Sequence, residues 1–91
     1  MIYFKRVVGQ SMHPTLKDGQ ILFVSHSRAH KPGDVVVAHM KGREVVKRLT
    51  KMKNGKVFLE GDNPRNSTDS NTHGWLSDRH VVGRVVFPRN L

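Results

Sequence analysis

The chain has 91 residues, 36% hydrophobic and 25% charged, which leaves room for one small core and no second domain. It contains no cysteine, excluding disulfides, thiolate metal sites and a cysteine nucleophile. The formal net charge of +9 favours anionic partners, but the basic residues are spread along the whole chain with few aromatics between them. That pattern reads as a solvated basic surface, and no nucleic-acid partner is expected.

The N-terminus, "MIYFKRVVGQS", reaches basic residues after four positions and lacks the apolar run of a signal peptide. The strongest apolar runs, "ILFV" at 21–24 and "VVVA" at 35–38, fall far short of the about 20 residues that span a bilayer. The expectation is a single domain over 1–91 with no transmembrane anchor, cytoplasmic, and at most peripheral at a membrane.

In chain order, "KRVV" reads as a first strand leading into "GQSMHPTL" at 9–16, where the one short helix is expected near 12–17. "KDG" at 17–19 turns into "QILFV", and "HKPGD" at 30–34 turns into "VVVAHM". "KGRE" at 41–44 makes a tight hairpin into "VVKRLTKM", and "KNG" at 53–55 an Asn-Gly hairpin into "KVFLEG". A polar loop, "DNPRNSTDSNTHG", then leads to the last strand, "HVVGRVVF". Short strands at close spacing with at most one short helix predict a mostly β fold, a small antiparallel barrel or rolled sheet. The aromatic side chains are expected in its core or at the core's edge.

Two residues carry the chemical question. Ser11 sits between Gly9 and a proline turn, where its oxygen can cap a helix or serve as a nucleophile. Lys47 lies in "EVVKRLT", and strand alternation puts Val45, Lys47 and Leu49 on one face and Val46 and Arg48 on the other. An amine between two apolar neighbours is disfavoured as a cation, so its pKa is expected to fall from about 10.4. A neutral lysine can take the proton of a serine. The plainer alternative is an edge-strand lysine whose ammonium reaches water.

His26 and His30 are four apart, the spacing of a helical metal pair, but they lie in a polar connection with a proline turn and no third ligand at motif spacing. No metal and no cofactor are expected. His13 reads as a rim contact, Met12 as lining or packing, and Trp75 as an anchor for the polar loop or a substrate wall.

Taken together, "GQSMHPTLKDGQILFV", "KPGDVVVA", "VVKRLT" and "GDNPRNSTDSNTHG…VVGRV" resemble, in order, the catalytic domain of the signal peptidase I family. The resemblance implies a serine endopeptidase with a Ser-Lys dyad and the family's small β-barrel core. Ser11 would be the nucleophile, Lys47 the general base, and Ser67 the hydroxyl that orients the lysine. Asp62 and Asp69 would be structural acids, one paired with Arg48, and the Ser11 N–H would serve the oxyanion hole. The implied partner is a protein precursor whose N-terminal extension is removed after small residues.

The chain departs from that family at Gly9, where many members have a second hydroxyl, so backbone is expected to complete the oxyanion hole there. It also carries Asn71 where the family usually has arginine, and it lacks the large insertion before the "GDN" block. Its small size and its "GDNP…STDS" loop resemble the proteases that mature nickel-type superoxide dismutase. Two other functions remain in view. One is a self-cleaving regulator related to SOS-response repressors, which would need a DNA-binding segment and a cleavage loop that do not fit before residue 9. The other is a basic β-barrel that binds nucleic acid and does no chemistry.

Overall fold

The computed structural model describes residues 1–26, 29–66 and 69–91. Seven strands form a single sheet: β1 (Ile2–Arg6), β2 (Ile21–Ser25), β3 (Val35–Met40), β4 (Arg43–Lys53), β5 (Lys56–Glu60), β6 (Leu76–Ser77) and β7 (Val81–Phe87). The spatial order is β1-β2-β7-β3-β4-β5-β6, every pair antiparallel. This is the mostly β, rolled antiparallel architecture expected from the sequence.

The two hairpin turns follow from their residues. Lys41-Gly42 and Asn54-Gly55 all adopt positive φ, from 50° to 76°, the mirror-image turn whose twist suits paired strands. Curvature comes from register shifts between Phe23 and Val24, Val37 and Ala38, and Leu49 and Lys51. Gly83 of β7 is required by crowding, since a Cβ there would run into the Ser25 carbonyl and the Val24 side chain.

The curl gives the sheet two apolar faces. Val35 and Val37 join Leu22, Val24 and Val46 in one cluster, while Val36, Ala38 and Met40 join Leu49, Val57 and Leu59 in the other. Strand β3 is thus buried on both sides, which is why "VVVA" is a continuous apolar run and not an alternating one. Val7, Met12 and Leu16 close the first cluster from the segment after β1. The curl also brings β1 and β4, which are not sheet neighbours, close enough for Lys5 Nζ to reach Glu44 Oε1 at 2.6 Å.

Three expectations need correction. Residues 11–15 form turns and not a helix. One helical bond closes there, Leu16 N–H to Met12 O at 2.9 Å, but Pro14 has no N–H to continue the ladder. The short helix, α1 (Ser70–His73), lies instead inside the stretch expected as a polar loop, with Asp69 as its N-cap. Strand β6, two residues with a weak pattern of their own, pairs with Lys56 and Val57 and has no counterpart among the expected strands. The aromatics divide: Tyr3 packs at the edge of the first cluster and Phe58 is half-buried, but Phe4, Phe23 and Phe87 are 71%, 47% and 58% exposed, and valine, leucine and methionine fill the interior.

Candidate active site

Ser11 sits on a turn tied down from both sides. Val7 N–H donates to Gln20 O at 2.8 Å, bringing the segment back on itself, and Gly19 N–H donates to Val7 O at 2.7 Å. Met12 and Leu16 insert into the first core cluster at 1% and 0% exposure, anchoring the turn by about 2–3 kcal/mol each. From the far side, Asn63 N–H donates to Ser11 O at 2.8 Å and Asn63 Nδ2 to Gln10 O at 3.0 Å. Thr15 Oγ1 donates to Asp62 Oδ2 at 2.6 Å, and Asp62 N–H reaches Met12 Sδ at 3.4 Å. Asp62 and Asn63 therefore act as a clamp on the serine turn.

With its carbonyl committed, Ser11 keeps its other groups available. Its hydroxyl and its N–H make no hydrogen bond to another described residue, so the hydroxyl caps no helix. Gly9 behaves differently. Its N–H donates to Asp18 Oδ1 at 2.8 Å, so Gly9 secures the turn and does not offer a spare oxyanion donor.

Lys47 is held on β4 between β3 and β5, opposite Val36, which removes the edge-strand alternative. Its side chain is buried, at 3% exposure, between Val45 and Leu49 on its own face. Burial is the main reason its pKa is lowered; the charge of Arg43 pushes it the same way, and that of Asp69 opposes both. Asp69, itself buried, accepts from Gly61 N–H and Asn71 N–H, each at 2.9 Å. Ser70 Oγ accepts from Leu59 N–H at 2.9 Å, fastening α1 to β5. Ser67, the expected orienting hydroxyl, lies outside the described residues.

Ser11 and Lys47 line the same pocket, of about 230 Å³, whose walls are residues 5–12 on one side and 43–47 on the other. The Ser11 hydroxyl and the Lys47 amine share that space without a hydrogen bond between them; catalytic contacts are often long until substrate tightens them. Behind the pocket, Arg48 grips Asp62 through Nη2–Oδ2 at 2.7 Å and Nε–Oδ1 at 3.2 Å, and Arg48 Nη1 donates to Gly33 O and Leu91 O. Burial is the largest single influence on the Asp62 carboxyl and pushes it up. Hydrogen bonds from Arg48 and Thr15, with the Arg48 charge, outweigh it and hold the pKa below the usual value. Asn71, which stands where the resemblance leads one to expect arginine, donates to Glu60 Oε1 at 3.1 Å.

The pocket thus joins a serine on a fixed turn to a buried lysine from a central strand. The sequence profile described as Peptidase S24-like matches residues 1–86. The chain belongs to the peptidase S24-like family. Among relatives of this S24-like chain, the human protein "Mitochondrial inner membrane protease subunit 1" is 31% identical over 106 residues, covering 87% of this chain and 64% of that protein. "Signal peptidase I" of Streptococcus pneumoniae is 42% identical over 59 residues, 63% of this chain and 29% of the relative. "LexA repressor" of Frankia alni is 33% identical over 86 residues, 93% of this chain and 32% of the relative. The S24-like chain spans less than two thirds of the length of each of these relatives.

Several contributors to the S24-like site were not singled out from sequence. Asn63 stands within the "GDN" motif, but its double hold on the serine turn crosses more than fifty positions. The Lys5–Glu44 bridge arises from sheet curl, for which local pattern carries no signal, whereas the charge of Arg43 acts on Lys47 from the same face of β4. Trp75, weighed as a substrate wall, packs edge-on against Phe58 with ring centroids 5.3 Å apart, and is not among the residues lining the Ser11 pocket. Among the described residues no cluster of three or more histidine or acidic side chains is arranged to hold a metal ion.

Proposed function

We propose that the chain is a serine endopeptidase in which Ser11 attacks a peptide carbonyl and Lys47 is the general base. The observation that carries this reading is one pocket lined by both residues, with the Lys47 amine buried and its pKa lowered. A neutral amine accepts the Ser11 proton as the hydroxyl closes on the carbonyl, and returns it to the leaving amine. Water activated by the same lysine then hydrolyses the acyl-enzyme. The Ser11 N–H supplies one oxyanion donor. Ser67 is assigned the role of orienting the lysine, and Arg48 with Asp62 that of bracing the serine turn through Asn63.

The substrate class proposed is a protein precursor, cleaved after small residues to remove an N-terminal extension. Similarity to proteins named Signal peptidase I and Mitochondrial inner membrane protease subunit 1 supports a processing role. The narrower candidate is a cytoplasmic precursor such as that of nickel-type superoxide dismutase. The test is cleavage of peptides with alanine or glycine before the cut, followed by mass spectrometry in wild type, Ser11→Ala and Lys47→Ala. Cleavage is expected only in wild type; full activity in Lys47→Ala rules out the dyad.

A second reading, self-cleavage, is favoured by the similarity to LexA repressor over 93% of this chain. Incubating the purified protein at alkaline pH separates the two. Self-cleavage yields fragments at a rate independent of protein concentration, whereas processing in trans leaves the chain whole.

A further inference from the structure

The two walls of the Ser11 pocket are unequally charged. Lys5, Arg6 and Arg43 line it with a single acid, Glu44. Glu44 is committed to Lys5 Nζ at 2.6 Å, and among the described residues neither Arg6 nor Arg43 forms an ion pair. None of the other six acids lines the pocket, and several are occupied. Asp18 holds Gly9, Asp34 holds Lys31, Asp62 holds Arg48, and Asp69 holds Gly61 and Asn71. Both arginines are exposed and Lys47 is buried in the same groove; Arg6 Nη1 donates to Gly19 O at 3.0 Å, which leaves Arg43 as the less committed of the two.

Strand geometry sets where this charge would act. Arg43 and Lys47 lie on the same face of β4 with regular pairing between them, four residues apart, or about 13 Å along the strand. A peptide lying extended beside β4 has the same rise, so a side chain about four residues from the scissile bond would come alongside Arg43.

We infer that the groove selects substrates carrying an acidic side chain a few residues from the cut, with Arg43 as the principal contact and Arg6 as the second. This rests on the peptidase reading for the position of the cut, but the charge preference itself is a binding property. The overall net charge of +9 adds long-range attraction for the same peptides. Because the contact is solvent-exposed, each acidic residue is expected to improve binding by only about three- to fivefold at low salt.

The experiment uses the full chain as Ser11→Ala, with fluorescent peptides sharing alanine before the cut. Aspartate or glutamine is placed at each of the two to five positions on either side. Anisotropy should show the aspartate peptides binding more tightly, most strongly near the fourth position, with the ratio shrinking between 50 and 500 mM salt. Arg43→Glu should abolish or invert the aspartate-to-glutamine ratio. Equal affinities for the two series, or a ratio unchanged in Arg43→Glu, overturns the inference. In parallel, wild-type protein is assayed for cleavage of the same peptides. Failure to cleave any of them counts against the peptidase reading alone, because the binding ratio is read independently.

Discussion

Replacing Arg48 by methionine keeps the aliphatic stem of the side chain and removes its hydrogen bonds to Asp62, Gly33 and Leu91. The Arg48–Asp62 pair is two-pronged but 18% and 19% exposed, so after solvent screening it contributes about 1 kcal/mol. The two carbonyl contacts, at 2.8 and 2.7 Å, add about 1 kcal/mol each. A loss of about 3 kcal/mol is large against the about 5–14 kcal/mol expected for a chain of this size. It corresponds to a fall in Tm of roughly 12–24 °C.

Urea denaturation should show a lower midpoint with the slope unchanged. The pH dependence gives a second check. Asp62 has its folded pKa depressed, so its stabilising contribution is fully present above the unfolded value of about 3.9. That contribution is lost as pH falls through the folded value, and most of this loss should disappear in Arg48→Met. The clamp also predicts a functional effect, because Asp62 and Asn63 hold the Ser11 turn. Peptide cleavage should fall at temperatures where the variant is still folded. A destabilisation below about 1 kcal/mol, or an unchanged acid limb, would refute this account of Arg48.

The rate of peptide cleavage should rise with pH as Lys47 loses its proton, with a midpoint below the ordinary lysine value. Arg43→Gln removes a charge that disfavours protonation, so that midpoint should move upward in a pH–rate profile. Asn63→Ala deletes the side-chain bond to Gln10 but keeps the backbone bond to Ser11, and should cost about 1 kcal/mol in denaturation while lowering kcat more than it changes KM. Leu16→Ala should cost about 2–5 kcal/mol in urea titration, since Leu16 is fully buried beneath the serine turn. Gly83→Ala should cost about 1–3 kcal/mol, because the new Cβ meets backbone that cannot easily move.

The sequence by itself determined what depends on neighbours along the chain. Alternation in "EVVKRLT" placed Lys47 beside Val45 and Leu49, and the Asn54-Gly55 pair fixed a hairpin, because both follow from backbone geometry over a few residues. Four ordered motifs pointed to signal peptidase I, which is among the relatives, while the family the chain belongs to is the broader peptidase S24-like one, matched over residues 1–86.

Tertiary structure decided what depends on curl and on competition for partners. The helix expected near 12–17 gives way to turns, through a proline without an N–H and a clamp from Asn63. Gly9 offered a backbone donor on paper, but Asp18, nine residues away, takes it. Arg48 could have paired with either nearby acid. It pairs with Asp62 because Asp69 is turned toward backbone N–H groups of Gly61 and Asn71, and only the folded chain sets which acid faces which donor. The shared pocket of Ser11 and Lys47 belongs to this second class, because the two walls meet only when the sheet rolls β1 against β4.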